Sequence, residues 1–233
     1  MMEKTEELEL AEQLAQRIAE KPSITAFIGG IGSGKTCAMF ALAEGLHLMN
    51  KKKVFFYFPF EFNIKLPDWI VKINSLDALN NDSILLIDEI QQYFDSRRSL
   101  SQDNIDFTSL INTHRHKNIH MLFTTQALNQ IDKRIRERAN YYILKEPSEF
   151  ALDKEDKLIK KYYRECKAHF VREHGKYSHY SYVKSDNWTE VGLFFDIGMA
   201  SFWSDQISTN MRQQQLPTKS LLARILEKAK GNT

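Results

Sequence analysis

A glycine-rich segment near the start of the chain constrains the fold more than any other feature. Its residues are Gly29, Gly30, Ile31, Gly32, Ser33, Gly34, Lys35 and Thr36. The segment fits the pattern G-x-x-x-x-G-K-S/T, follows a predicted strand at Ile24 to Ile28, and precedes a predicted helix at Lys35 to Leu48. In that context backbone N–H groups turn inward around phosphate groups, and the helix dipole adds positive potential. The sequence therefore predicts a loop that binds nucleotide phosphates.

The end of this loop carries the side chains that would complete such a site. Lys35 is expected to reach the β- and γ-phosphates of ATP, and the hydroxyl of Thr36 is expected to ligate Mg²⁺. We include Cys37, the next residue, among the cofactor-binding positions. The expected cofactors are therefore ATP and Mg²⁺. A glycine loop that fits the pattern by chance is the alternative, and the strand and helix around the loop disfavour it.

A second signal is an apolar run that ends in two carboxylates. Ser83 to Ile87 is predicted as a buried strand, and Asp88 and Glu89 follow at once. Asp88 is expected to position Mg²⁺, directly or through a water, and Glu89 is the candidate base for the attacking water. The alternative is that the pair caps a following helix, Ile90 to Phe94. Because a small-molecule kinase does not need a water-activating base, the second carboxylate favours ATP hydrolysis.

The strand predicted at Ile119 to Thr125 turns polar where it ends, at Gln126. Ligand chemistry in an open parallel sheet gathers at the carboxyl ends of the strands. Gln126 is therefore a candidate contact to the γ-phosphate or to the attacking water. The alternative is a polar residue that only starts a loop.

A basic segment, predicted as a helix from Ile131 to Ala139, carries Arg134, Arg136 and Arg138. An arginine that reaches a neighbouring subunit's phosphates stabilises charge in the transition state, so this segment is a candidate ring interface. The alternative is a solvated basic face. Competing candidates for the same role are Arg97, Arg98 and Arg115.

Strands that alternate with helices predict a parallel sheet covered on both faces. Further strands are predicted at Val54 to Phe58, Trp69 to Ile73 and Tyr141 to Leu144, with a helix at Asn104 to His114. We therefore expect an α/β fold of the P-loop NTPase (RecA/ASCE-like) kind, a mostly parallel sheet flanked by helices, with a small C-terminal extension.

The expected organisation has an N-terminal helix in residues 1–22, a P-loop core in residues 23–147 and an extension in residues 148–233. In the extension we predict a Lys-rich helix from Lys154 to Lys167, a hairpin within Phe170 to Val183 that turns at Gly175-Lys176, and a last helix from Ser220 to Lys230. Residues 170 to 209 either finish the sheet or form a partner-binding surface.

The net charge of +2 requires any contact with DNA to come from local patches. The candidate patches, each with a solvated face as its alternative, are Lys51 to Lys53, Arg97-Arg98, His114 to Lys117 and the cations from Lys154 to Lys167. Alternating tyrosines at 177, 180 and 182 fit strand packing better than base stacking. No apolar run approaches the roughly 20 residues of a membrane span, and no signal peptide precedes the loop, so we expect a cytoplasmic protein.

These blocks together resemble the FtsK–HerA group of P-loop ATPases. They look in particular like the genome-packaging ATPases of membrane-containing, double-jelly-roll viruses, and are also similar to the zonula-occludens-toxin-like assembly ATPases of filamentous phages. The resemblance runs from Gly29 to about Tyr142. It rests on the phosphate loop, the acidic strand, Asn112 to His116, Phe123 to Gln126 and the arginine-bearing helix.

The resemblance implies roles for these residues. Lys35 and Thr36 would bind the nucleotide, the two carboxylates would serve the metal and the water, and Gln126 would act as a sensor. One of the three arginines between Ile131 and Ala139 would act on a neighbouring subunit. The chain departs from the phage assembly ATPases, which carry a membrane span, and from cellular FtsK-type translocases, which carry long accessory regions.

The activity that the resemblance implies is a ring-forming motor, a pentamer or hexamer, that hydrolyses ATP and moves double-stranded DNA. A viral genome-packaging ATPase fits best, in the host cytoplasm or associated with the virion. A portal, capsid or membrane-vertex protein is the docking partner that such a motor would need. Two alternatives stay open: a phage or plasmid assembly ATPase that moves protein or single-stranded DNA, and a P-loop kinase or regulator without motor activity.

Overall fold

The computed structural model describes residues 4–59, 65–94, 102–147, 152–153, 155, 157–170, 180–185, 193–204 and 206–207. The helices are α1 (Lys4–Glu20), α2 (Lys35–Asn50), α3 (Gln102–Thr113), α4 (Lys133–Arg136) and α5 (Lys157–His169). The strands are β1 (Ile24–Ile28), β2 (Lys53–Tyr57), β3 (Ile70–Ile73), β4 (Ser83–Ile87), β5 (His120–Thr125), β6 (Tyr141–Leu144), β7 (Tyr180–Ser185) and β8 (Leu193–Asp196).

These strands form one sheet in the order β3-β2-β4-β5-β1-β6-β7-β8. The pairs among β1 to β6 are all parallel, and β7 runs antiparallel to both β6 and β8. The predicted α/β P-loop fold with a mostly parallel sheet is confirmed. Because β5 lies between β1 and β4, the carboxyl ends of these three strands and of β6 meet at one edge of the sheet.

Helices cover the sheet on both faces. One face packs against α1 and α2 through apolar side chains such as Ile18, Phe40 and Leu86. The other face packs against α3, α4 and α5, and the rings of Phe94 and Phe107 stack there at 4.0 Å. Every residue of β1, β4 and β5 is buried, which explains why these strands read as continuous apolar runs in the sequence.

The extension finishes the sheet through β7 and β8, which agrees with one of the two predicted roles for residues 170 to 209. Of the predicted hairpin within Phe170 to Val183, Phe170 continues helix α5 and the residues from Tyr180 onward form β7, whereas residues 171–179 lie outside the described residues. The partner of β7 on its outer side is Leu193–Asp196. The turn at Gly175-Lys176 lies outside the described residues, as does the predicted helix Ser220 to Lys230. The domain boundaries stay a prediction.

Two predicted helices are shorter than expected. The basic segment is helical only over Lys133–Arg136, because Asp132 caps it through the backbone N–H of Arg134 and the chain then turns into β6. After Glu89 a single turn of 3-10 helix covers Ile90–Gln92. Within the described ranges, no helix is both long and apolar enough to cross a membrane.

Candidate functional site

The glycine segment forms a loop that two neighbouring strands brace from opposite sides. The backbone N–H of Gly29 donates to the carbonyl of Thr125, which ends β5, at 3.3 Å. The N–H of Gly30 donates to the carbonyl of Glu146, just after β6, at 2.8 Å. The start of the loop is therefore fixed between the ends of β5 and β6.

Glycine is required at several points of this loop. Gly32 and Gly34 have φ angles of 78° and 86°, in the left-handed region that other residues avoid. A Cβ on Gly29 would lie 2.7 Å from Ser33 Oγ and 2.8 Å from the Cβ of Lys145. The loop can close only because these positions lack side chains.

The groups around the loop fit a polyphosphate. Gly34 stands at the N-cap of α2 without a capping side chain, so the first-turn N–H groups are left for another acceptor. Ser33 Oγ is buried and has no hydrogen-bond partner among the described residues. Lys35 Nζ donates to the carbonyl of Gly30 at 3.0 Å, while Ile31 at the tip is 77% exposed. A bound anion would supply acceptors for these unsatisfied hydrogen-bond donors around the loop.

The expected magnesium residues meet at the end of β4. Thr36 Oγ1 donates to Asp88 Oδ1 at 2.8 Å, and Thr124 Oγ1 donates to the same oxygen at 2.7 Å. Asp88 is 1% exposed, and burial raises its pKa, with the neighbouring charge of Glu89 adding to the effect. A divalent cation favours the ionised carboxylate and prefers oxygen ligands. A hydroxyl and a buried carboxylate in contact beside a phosphate loop therefore fit Mg²⁺.

The backbone conformation of Glu89 favours a role in the nucleotide site over a role as a helix cap. Its φ and ψ are 48° and 56°, in the left-handed region, and its N–H donates to Thr124 Oγ1 at 2.7 Å. Its side chain makes no capping bond to the following 3-10 helix. The carboxylate instead lies 3.4 Å from Lys35 Nζ and accepts hydrogen bonds from the side chains of Gln91 and, at 3.4 Å, Gln126. The structure thus brings Lys35, Glu89 and Gln126 together as the sequence predicted.

The arginines of the basic segment differ from one another. Arg134 is held by Asp132 through Nε at 3.0 Å and Nη2 at 2.8 Å, and these hydrogen bonds lower the pKa of Asp132. Arg136 is half-buried and lines a cavity of about 340 Å³ between α4 and α5. Arg138 is exposed, and its guanidinium makes no hydrogen bond or ion pair with another described residue, while its backbone N–H donates to the carbonyl of Ile135 at 3.1 Å. Of the competitors, Arg115 is exposed, whereas Arg97 and Arg98 lie outside the described residues.

Cys37, the last predicted loop residue, lies in the first turn of α2 and is half-buried. Burial raises its pKa to about 11, although a hydrogen bond with the backbone of Ala200 opposes this shift. Its backbone N–H belongs to the first turn of α2, the part of the helix that faces an anion. Cys37 therefore contributes to the loop through its backbone, while its side chain packs towards the extension.

The sequence did not predict a role for Thr124, although this residue lies in the polar end of β5. The hydroxyl of Thr124 donates to Asp88 and accepts from the N–H of Glu89, so one side chain orients both carboxylate residues. The signal available in the sequence was a polar residue inside a buried strand, two positions before the predicted sensor.

Replacing Thr124 with valine tests this orienting role. We expect kcat for ATP hydrolysis to fall by roughly ten- to a hundredfold, because small displacements of reacting groups are costly. The free energy of unfolding should fall by about 1–3 kcal/mol, since the buried N–H of Glu89 loses its acceptor. Thr125→Val is the matched control: its buried hydroxyl donates only to the carbonyl of Ala127 at 3.0 Å. Steady-state kinetics and urea unfolding of both variants measure these effects. Equal losses of kcat in the two variants would contradict the orienting role of Thr124.

Comparison with known proteins supports the fold. Residues 37–147 match the family model described as Zonular occludens toxin (Zot). No curated protein sequence matches the chain. The DNA-packaging ATPase B204 of Sulfolobus Turreted Icosahedral Virus superposes with a TM-score of 0.53 at 16% identity, covering 76% of this chain and 98% of B204.

Two further structures have similar folds. B204 of Sulfolobus turreted icosahedral virus 2, a genome packaging NTPase solved with sulfate, gives a TM-score of 0.54 at 14% identity, covering 75% of this chain and 96% of that one. The conjugation coupling protein TcpA of pCW3, solved with ATPγS, superposes with a TM-score of 0.52 at 13% identity. The match covers 84% of this chain and 66% of TcpA. The resemblance predicted from the sequence is confirmed: the chain has the fold of the FtsK–HerA-like P-loop ATPases and matches the zonular occludens toxin family over residues 37–147.

Proposed function

We propose that this protein is an ATP-hydrolysing motor that moves double-stranded DNA as a homo-oligomeric ring of five or six subunits and packages a viral genome. A viral DNA-packaging ATPase and a conjugation coupling protein share its fold, which supports the motor class. The site supports the ATPase step. A portal, capsid or membrane-vertex protein would dock such a motor, and the host cytoplasm or the virion would be its location.

One observation carries the proposal for hydrolysis: the carboxylate of Glu89 is aimed into the site by an unfavourable backbone conformation. It lies between Lys35 and Gln126, and its N–H is held by Thr124. A residue in the left-handed region persists only where the surrounding structure holds it there. The geometry therefore favours a base for water over a helix cap.

The contacts of Lys35 and Glu89 support an order of events in the ATPase step. Before nucleotide binds, Lys35 is occupied by the carbonyl of Gly30 and by Glu89. ATP phosphates draw Lys35 towards themselves, because a polyanion attracts the ammonium more strongly than a carbonyl does. Glu89 is then left to accept a proton from water, while Gln126, already at 3.4 Å, orients that water and senses the γ-phosphate. Mg²⁺ held near Thr36 and Asp88 would neutralise phosphate charge.

The first experiment is steady-state ATP hydrolysis by the purified protein, with and without linear double-stranded DNA, over a range of protein concentrations. A motor whose active sites are shared between subunits should hydrolyse faster with DNA and show a specific activity that rises with protein concentration. Hydrolysis that responds to neither variable would overturn the ring-motor proposal and leave a nucleotide-binding regulator. Stimulation by single-stranded DNA alone would favour the assembly ATPase.

The surface of helix α5 is our preferred site for DNA phosphates. Its cations occupy one face, within an arc of roughly 120° at 3.6 residues per turn, while Ile159, Tyr163 and Cys166 are buried on the other. The described cations of this face are Lys157, Lys160, Lys161, Arg164 and Lys167. A row of exposed cations binds phosphates without reading sequence, as translocation requires. By contrast, Lys52 of the predicted patch Lys51 to Lys53 is buried, so that patch retains only two exposed cations.

The double variant Lys161→Ala/Arg164→Ala tests this surface. We expect weaker binding of double-stranded DNA and a salt slope that is reduced by roughly 2, because two phosphate contacts are lost. Basal ATP hydrolysis should stay at the wild-type level. The matched control is Lys51→Ala/Lys53→Ala, which removes the same charge from another exposed patch. Fluorescence anisotropy of labelled duplex at several salt concentrations gives the slopes. A larger change in the control pair would move the DNA site to that patch.

A further inference from the structure

A second lysine lies beside the phosphate loop, and no motif assigns it a role. Lys145 follows β6 directly, and its backbone N–H donates to the carbonyl of Ile28 at 2.7 Å. Its side chain is almost fully buried, with 2% of its surface exposed. Lysine is seldom buried to this extent without a partner or a function. The two lysines of the site thus approach the loop from different elements, Lys35 from the first turn of α2 and Lys145 from the end of β6.

The side chain of Lys145 runs along the inner side of the loop. Its Cβ would be 2.8 Å from a Cβ placed on Gly29, and its Cε would be 3.6 Å from one placed on Gly34. Gly34 is the N-cap of α2. The ammonium end of Lys145 is therefore close to the helix end that faces the phosphates in a P-loop.

The C-terminal extension holds this lysine in place. Lys145 Nζ donates to Ser181 Oγ of β7 at 3.3 Å, and the carboxylate of Asp196, which ends β8, interacts with it electrostatically. Among the described residues, Cys37 of α2 also interacts with it electrostatically. Two strands that the sequence could not connect with the nucleotide site therefore hold a cation against it.

This placement remains costly although Asp196 partly stabilises the ammonium. Burial lowers the pKa of Lys145 to about 8, because the charged form has lost its water. The positive end of the α2 dipole is a further unfavourable neighbour for a cation. Both costs are offset when a polyphosphate occupies the loop, since its negative charge stabilises the ammonium.

We propose that Lys145 is a positioning residue of the nucleotide site: its ammonium, held by Ser181 and Asp196, raises the positive potential of the phosphate loop and so makes the extension a contributor to ATP affinity. This inference rests on the proposed binding of ATP. Lys145 acts through the loop, and its contribution differs from that of Lys35, whose side chain is placed to contact the phosphates directly.

The test is the dissociation constant of Mg·ATP, measured by isothermal titration calorimetry for the wild-type chain and three variants. Lys145→Met should raise the constant by roughly tenfold, as expected for loss of one charge near the phosphates at intermediate effective dielectric. Ser181→Ala should raise it by about threefold, since it removes one hydrogen bond. Lys52→Met is the matched control, because Lys52 is 7% exposed, bonded to the carbonyl of Asn118 and paired with Asp82, and lies at the opposite edge of the sheet.

A pH series distinguishes an electrostatic role from a packing role. For the wild-type chain, ATP binding favours the protonated form of Lys145, so the dissociation constant should rise from about pH 7 to about pH 9. Among the groups that face Lys145, burial raises the pKa of Cys37 to about 11, above this range, and Asp196 is a carboxylate. The Lys145→Met variant should show a flat profile.

The outcomes separate this inference from the proposed function. Failure of the wild-type chain to bind ATP would overturn both. Binding by the wild-type chain with an unchanged constant and pH profile in Lys145→Met would overturn this inference alone. An equal loss of affinity in Lys52→Met, with a matching fall in melting temperature, would assign the effect to general destabilisation and likewise overturn it. A loss confined to Lys145→Met and Ser181→Ala supports it.

Discussion

Replacing Glu89 with glutamine should lower kcat for ATP hydrolysis by roughly a hundredfold to ten-thousandfold, the range over which a positioned general base acts. Glutamine keeps the shape of the side chain and its contacts with Gln91 and Gln126 but cannot accept the proton of the attacking water. ATP affinity should be retained or slightly increased, because Glu89 no longer pairs with Lys35 and leaves the ammonium to the phosphates. Parallel measurements of kcat and of the ATP dissociation constant test both expectations.

Two comparisons sharpen the assignment of the base. Lys35→Ala should lose ATP binding itself, since the ammonium is the direct phosphate contact in the P-loop. Gln91→Ala removes a neighbour that only donates to Glu89, so it should retain much more of kcat than Glu89→Gln. Fast turnover by Glu89→Gln would remove Glu89 from the base role, and Asp88 could not replace it, because its Oδ1 is already engaged by Thr36 and Thr124.

The buried strands of the core are the part of the fold that sequence reasoning predicted best. The predicted bounds of β1, β4 and β6 agree with the structure at every residue. A strand between two layers of helices must be apolar on both sides, so its burial leaves a continuous run that ends where the polar site begins. The same rule placed Asp88, Glu89 and Gln126 at strand ends, and these strands meet at one edge.

Long-range contacts explain what the sequence did not reveal. Leu193–Asp196 is a strand only because β7 lies beside it, and four residues carry too little periodicity to predict a strand. Lys145 reads as an ordinary surface lysine until β7 and β8 bury it. Helix α4 is short because the side chain of Asp132 fixes its start at Lys133 and the chain leaves the helix at Glu137 to enter β6.

These contacts also suggest how the extension and the phosphate loop communicate. Ser201, in the segment after β8, binds the carboxylate of Glu44 on α2 through its backbone N–H at 2.7 Å and through its hydroxyl. The rings of Phe202 and Trp203 pack on Phe40 of the same helix. Because α2 begins at the phosphate loop, the extension is in direct contact with the element that carries the loop's positive end.

Arg138 is the arginine of the basic segment that we expect to act on a neighbouring subunit. Arg134 is held within its own chain by Asp132, and Arg136 is half-buried beside the cavity between α4 and α5. Arg138 is exposed, and its guanidinium makes no hydrogen bond or ion pair within the described part of the chain. A side chain that crosses an interface must be free to extend from the surface. Arg138 meets this requirement. Its assignment rests on the proposed ring.

Replacing Arg138 with alanine should lower kcat by about three orders of magnitude or more, the range reported for arginines that complete a phosphoryl-transfer site. Arg134→Ala is the control and should retain most of kcat, because its partner is Asp132. A mixture of Arg138→Ala and Glu89→Gln chains gives the sharper test. At an interface where the first chain supplies an intact Glu89 and the second supplies Arg138, both groups are present, so the mixture should regain ATP hydrolysis that neither variant shows alone. If mixing under assembly conditions restores nothing while Arg138→Ala is inactive, Arg138 acts within its own chain and the shared-site ring fails.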